Sequence, residues 1–172
     1  MSPMKKNNMS IVQHNDLREI RQEHKDKKIV FVSGVFDLTH PGHVLFFEDA
    51  RKLGDVLVVQ VGDDASIRQI KGPSRPFFNE HMRLKMVSSL KPVDYCLVAH
   101  ETDDIPFGAI KTAFADLKPD VYAINDDVLG ITARRELADK YGIKLEVLKR
   151  TCPAQFEGVS TTKLVEKIKK LA

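Results

Sequence analysis

Two histidines three positions apart, His40 and His43, enclose Pro41 and Gly42, and only Gly34 to Thr39 separate them from an apolar run ending at Ser33. Pro41 suits the first turn of a helix, because its ring fixes φ near the helical value and its missing N–H has no partner there. At this spacing both imidazoles can lie on one side of the helix start. Gly42 has no side chain and lets a bulky ligand come close to the backbone. Two imidazoles and the free N–H groups of a helix N-terminus then face one anion. Such a pair can also bind a metal, although no Cys or acidic third ligand stands nearby in a recognisable pattern.

Other polar groups recur after apolar runs. The stretch Ile70 to Pro76 reads as a loop with Gly72 and two prolines, carrying Lys71 as a point charge and Arg75 as a planar fork. A solvated turn has the same composition. Asn79 is a plausible N-cap for a helix that contains Arg83. Asn125-Asp126-Asp127 follows a further apolar run, and Asp126 is the likelier functional acid of the two. Near the C-terminus, Lys149-Arg150-Thr151 precedes Gly158-Val159-Ser160-Thr161-Thr162-Lys163. A hydroxyl before a helix is commonly just a cap. Consecutive hydroxyls at a positive helix end also make an anion cradle.

These groups need elements to position them. Ile29 to Ser33 and Asp55 to Val61 are rich in Val, Ile and Phe without clean alternation, as strands buried on both faces are. Val93 to Ala99, Asp120 to Ile124 and Lys144 to Leu148 repeat the pattern more weakly. Helical spacing appears over Gly42 to Leu53, Glu80 to Leu90, Ile105 to Leu117, Ile131 to Tyr141 and Ser160 to Leu171. Alternating strand and helix predicts an α/β fold, a Rossmann-like doubly wound parallel sheet of about five strands in one domain. Asp16 to His24 reads as a helix outside that unit. The expected division is therefore an N-terminal helical extension over 1–27 and the main domain over 28–172. In open sheets of this kind, ligands bind beyond the carboxyl ends of the strands. The candidate residues follow strands, as that rule requires.

The segment GVFDLTHPGH, Gly34 to His43, resembles the HxGH signature of the cytidylyltransferase-like nucleotidyltransferase superfamily. It is especially similar to glycerol-3-phosphate cytidylyltransferases and to the adenylyltransferase domain that makes ADP-heptose. KGPSRP, Lys71 to Pro76, is similar to the heptose-phosphate adenylyltransferase pattern, and RT…GVSTT, Arg150 to Thr162, resembles the family's last motif. Asn125 and Val128 stand where the family usually has Gly and an aromatic residue, and Cys152 to Phe156 are five extra residues. The resemblance covers about Lys28 to Lys170.

This resemblance implies that His40 and His43 contact a nucleoside triphosphate and stabilise charge as its α-phosphate is attacked, with Lys71 and Arg83 helping. It implies nucleotide contacts from Gly34, Val35, Phe36, Asp37, Gly42, Asn125, Asp126, Arg150, Gly158, Ser160, Thr161 and Thr162. Lys71, Arg75 and Asp126 are expected to hold the acceptor. Mg²⁺ is expected to arrive on the phosphates, with no dedicated protein ligand. The partners implied are ATP or CTP and a phosphorylated small molecule, in a homodimer by analogy. KGPSRP favours ATP and a sugar phosphate. RT…GVSTT and the paired aspartates lean toward CTP and glycerol phosphate, and an FAD-synthetase-like adenylyltransferase is a third form. Adenylyl transfer is put first. From another class, a nucleotide-binding regulatory module that has lost catalysis remains the alternative.

Composition narrows the rest. Across 172 residues, 42% are hydrophobic and 30% charged, an ordinary globular balance. A net charge of +3 is too small for a nucleic-acid footprint. No apolar run reaches the roughly 18 residues of a membrane span, and Met1 to Ser10 is polar, unlike a signal peptide. Cys96 reads as a buried core thiol and Cys152 as an exposed one, which suits a reducing cytoplasm.

Overall fold

The computed structural model describes residues 11–100, 102–149, 153–156 and 160–171. Five strands form one parallel sheet: β1 (Ile29–Gly34), β2 (Val56–Val61), β3 (Tyr95–Val98), β4 (Val121–Asn125) and β5 (Lys144–Leu148). Their order is β3-β2-β1-β4-β5. Successive side chains of a strand point to opposite faces. Ile29 and Phe31 of β1 therefore enter one core, and Val30 and Val32 the other. That is why the run shows no polar alternation.

Helices cover both faces. α2 (Pro41–Arg51) and α4 (Glu80–Ser88) bring Phe46, Phe47, Leu84 and Val87 to one core. α1 (Leu17–Glu23), α5 (Gly108–Leu117) and α6 (Ile131–Lys140) bring Leu17, Ile20, Phe114 and Leu137 to the other. The chain leaves β1 toward β2 and β3, then returns to β4 on the opposite side of β1. The crevice at the carboxyl ends of β1 and β4 is the topological switch point of the sheet. Among the described residues, no helix is long and apolar enough to cross a membrane.

Strand boundaries differ from the sequence expectation by at most two residues. The helix expected from Ile105 starts at Gly108, because Pro106 disfavours helical backbone at the residue before it. A further helix, α3 (Asp64–Lys71), occupies a stretch given no element in the sequence reading. Only Ile67 of α3 is buried, so no apolar stripe betrays it. Its start is the Asp63 carboxylate, which accepts the Ser66 N–H at 2.7 Å, and it stops at Gly72, whose φ is 93°. Lys71 is thus the last residue of a helix rather than part of a loop. α7 (Thr161–Lys169) has no fully buried side chain.

The N-terminal segment is packed onto the sheet domain. Leu17 and Ile20 are buried, and Arg18 Nε meets Asp116 of α5 at 2.8 Å. Ile11 bridges to Cys96 beside β3, covering part of an edge that would otherwise offer unpaired backbone groups. Cys96 is fully buried, and that burial pushes its thiol up to about 12, which makes it inert. Cys152 lies outside the described residues.

Two histidines of this segment titrate below the ordinary histidine value of 6.5. For His14 the main cause is burial, reinforced by His100 and opposed by Asp116. For His24 it is again burial. Histidines held neutral in the native state bind fewer protons than the unfolded chain does just below pH 6.5. Stability is therefore full above pH 6.5 and falls as the pH drops through 6.5 toward the depressed native values. Chemical denaturation between pH 7.5 and 5 should show that fall, and a His14→Asn/His24→Asn double variant should show less of it. An equal pH slope in both proteins would contradict this account.

Candidate nucleotide-binding site

The site begins where β1 ends. Phe36 and Leu38 hold φ of 51° and 48°, left-handed values that cost a side-chain-bearing residue energy and cluster at functional turns. Gly34 is required for space: a Cβ there would lie 2.6 Å from the Phe36 ring. The turn delivers the chain to His40, the N-cap of α2, with Pro41 as first helical residue. His40 Nδ1 accepts the Gly42 N–H at 3.1 Å, and His43 Nδ1 accepts the His40 N–H at 3.4 Å. A ring nitrogen that accepts carries no proton, so each neutral ring keeps its proton on Nε2. The rings stack with centroids 3.9 Å apart at 21°, and Phe36 stands edge-on to His43 at 5.6 Å. The pair is held in one orientation as two Nε2–H donors.

Asp37 ties this turn to two other segments. Its side chain is 1% exposed. Oδ2 accepts the Phe77 N–H at 2.9 Å and Oδ1 the Phe78 N–H at 3.0 Å, while Arg75 Nη2 lies 3.4 Å from Oδ2. Thr161 Oγ1, in the first turn of α7, donates to the Asp37 carbonyl at 3.0 Å. The β1–α2 turn, the basic loop and the start of α7 therefore converge on one residue.

Together these segments border a cavity of about 450 Å³ at the switch point. Gly34, Val35, Phe36, Asp37, His43, Lys71, Arg75, Asn125 and Thr161 line it. His40 stands against it through its stack on His43, and Gly42 is buried beneath them. The Lys71 chain is largely exposed, yet protein around its ammonium lowers its pKa, Arg75 lowers it further, and Asp37 pulls the other way. A cation short of counter-charge suits a polyanion. Lys71 loses its proton earlier than an ordinary lysine as the pH rises. We expect kcat/KM to fall on the alkaline side from a pH below 10.5, and Lys71→Met to lack that limb in a pH–rate profile.

Several expected residues stand elsewhere. Arg83 is fully buried and does not line this cavity. Nε donates to the Phe78 carbonyl at 2.9 Å, Nη1 to that of Val35 at 2.8 Å, and Nη2 to Asp64 Oδ1 at 2.6 Å. Burial and these three acceptors commit its charge to holding the site's walls, whereas the resemblance implied that it helps at the phosphates. Asp126 is exposed and outside the lining, where Asp127 stands instead. Ser160 caps α7 by accepting the Lys163 N–H at 3.2 Å, and Thr162 is exposed. Arg150 and Gly158 lie outside the described residues.

The cavity also exposes residues that the motifs did not single out: Ser33, Gln60, His100 and Arg134. Gln60 had a signal, being the polar residue in VLVVQV of β2. Its side-chain amide donates to the Ala109 carbonyl at 3.3 Å. Arg134 had none, since a surface helix in its place reads the same.

Residues 31–167 match the family model described as cytidylyltransferase-like. The chain belongs to the cytidylyltransferase-like family. It is 40% identical over 149 residues to the bifunctional protein HldE of Helicobacter acinonychis, covering 86% of this chain and 29% of that protein. The HldE of Citrifermentans bemidjiense is 36% identical over 171 residues, 97% of this chain and 32% of its own length. The cytidylyltransferase-like chain thus spans under a third of those relatives. A solved lipopolysaccharide core biosynthesis protein from Thermoplasma volcanium is 32% identical with a TM-score of 0.60, covering 74% of this chain and 98% of that one. Pantoate-β-alanine ligase from Francisella tularensis, at 16% identity and a TM-score of 0.62, covers 95% of this chain and 78% of that one and shares the fold.

Proposed function

We propose that this domain transfers AMP from ATP to a sugar phosphate, releasing pyrophosphate. The observation that carries the reading is His43, stacked on the α2 N-cap His40 and lining the same cavity as Lys71 and Thr161. The bifunctional HldE relatives and the KGPSRP loop favour ATP over CTP as donor.

An acceptor phosphate oxygen attacks the α-phosphorus, the bond from that phosphorus to the β-phosphate oxygen breaks, and pyrophosphate leaves with the electron pair. No protein nucleophile is needed, because the acceptor is already an anion. The protein aligns two mutually repelling phosphates and answers the charge that grows on the α-phosphate and the leaving group. The Nε2–H groups of His43 and His40 donate there without having to reorient. Lys71 and the N–H groups at the start of α2 add positive potential. Thr161 presents its wall of the pocket, Arg75 holds the basic loop on Asp37, and Arg83 keeps β1 and that loop in register.

Mg²⁺ is part of this reading. Among the described residues, no three His, Cys, Asp or Glu side chains gather as a metal-binding group. An ion carried by phosphates and water fits such a cleft. When bound it neutralises phosphate charge. We further propose a cytoplasmic homodimer, in which residues 28–172 form the transferase unit and 1–27 a helical extension.

The test is a matrix of ATP, CTP, GTP and UTP against sugar and polyol phosphates, read by pyrophosphate release and product mass. ATP with a sugar phosphate should be the fastest pair. Turnover with CTP and a polyol phosphate alone would replace the substrate assignment. Nucleotide binding without turnover on any pair would favour a regulatory module.

A further inference from the structure

At the floor of the cleft lies a charge that no motif accounts for. Arg134, in α6, is 9% exposed and lines the cavity. Its Nε donates to the Leu129 carbonyl at 3.2 Å, Nη1 donates to the Tyr122 hydroxyl, and the guanidinium stands 5.6 Å from the Phe107 ring centre. These partners are all uncharged. Among the described residues no carboxylate comes within ion-pair distance of Arg134. Nη2 has no acceptor among the described residues, and it is not sealed inside the protein either.

Arginine has no acceptor, so the bond to Tyr122 runs from Arg134 to the tyrosine oxygen. Tyr122 is fully buried, and its own proton must then go to its other neighbour, Ser33 Oγ, 2.8 Å away. The hydroxyl proton of Ser33 is left for another acceptor, and Ser33 also lines the cavity. Arg134 and Ser33 thus each hold a donor that can point into the switch-point crevice. A buried guanidinium without a counter-ion is costly unless an anion arrives.

We propose that Arg134, with Ser33, receives the phosphate of the acceptor. This rests on the nucleotidyltransferase reading. The triphosphate has its own donors in His40, His43 and Lys71. A second phosphate brought beside it needs separate positive charge, and Arg134 is the remaining buried cation of the lining without an acidic partner. The nucleobase and ribose are neutral and make no demand for one.

Two measurements test this on the full chain. In steady-state kinetics with the best substrate pair, Arg134→Met should raise KM for the acceptor at least tenfold. That is the scale of one charge-assisted hydrogen bond. KM for the nucleotide should stay within threefold. Arg134→Lys should recover part of the loss, and Ser33→Ala should weaken the acceptor by several-fold. Ser33→Ala keeps the question open to test if Arg134→Met melts at room temperature. A purely structural Arg134 would instead lower kcat and the melting temperature with no selective change in acceptor KM, and so would overturn the proposal. A rise confined to nucleotide KM would overturn it too.

The second measurement needs no turnover. Inorganic phosphate is titrated calorimetrically into protein saturated with a non-hydrolysable analogue of the nucleotide. The wild type should bind it at least tenfold more tightly than Arg134→Met. If the analogue binds and both proteins take up phosphate equally, the Arg134 assignment alone fails. If the analogue does not bind, the nucleotide reading fails and takes this one with it.

Discussion

His43→Ala should lower kcat about 10²- to 10³-fold, the scale of removing one preorganised donor from a developing negative charge. The size follows from how firmly the ring is held. Its Nδ1 accepts the His40 N–H, one face lies on His40, and the Phe36 ring stands edge-on to it. A donor already aimed costs no reorganisation when charge appears, whereas water filling the alanine gap must be ordered each time. His43 is half-buried and contributes no core side chain, so the melting temperature should barely move. Single-turnover kinetics beside a thermal melt check both halves. A turnover within threefold of wild type in a folded variant removes the role assigned to His43.

Asp37→Ala should cost about 3 kcal/mol of folding stability, the lower end for breaking a buried charged pair. It strips acceptors from two backbone N–H groups, those of Phe77 and Phe78, and leaves Arg75 without its carboxylate. Buried donors left unsatisfied carry the larger share of such losses. At this chain length that is roughly 6–12 °C in the unfolding midpoint. Activity should fall as well, because the loop carrying Arg75 is no longer fixed beside the histidines. Urea titration against wild type measures the first effect. A loss under about 1 kcal/mol would mean that the loop is held by its own packing and not through Asp37.

What could be read without coordinates, and what could not, follows from how each residue earns its place. β1 and β2 are buried on both sides, so their composition alone marks them. His40 and His43 were legible because Pro41 and the strand before them fix their helix start locally. α3 was not, since its one buried side chain, Ile67, leaves no periodicity. Lys71 therefore reads as part of a loop in the sequence, although it ends α3. Arg83 and Arg134 look alike in sequence, each an arginine within a helix. Only the fold shows that the first meets three protein acceptors, one of them charged, while the second is left with an N–H group open at the cavity. Asp127 and not Asp126 lines the cavity, a choice that two adjacent aspartates leave open in the sequence.

The Asp37 junction also holds its two neighbouring segments with unequal strength. Its carboxylate grips one rim with an ion pair and two N–H donors, whereas its carbonyl grips the opposite rim through the single hydroxyl of Thr161. A neutral hydrogen bond is worth about 1 kcal/mol and those to a charged group about twice that. Through Asp37 the two sides of the mouth are therefore unequally latched, and the side that carries the start of α7 has the weaker tie.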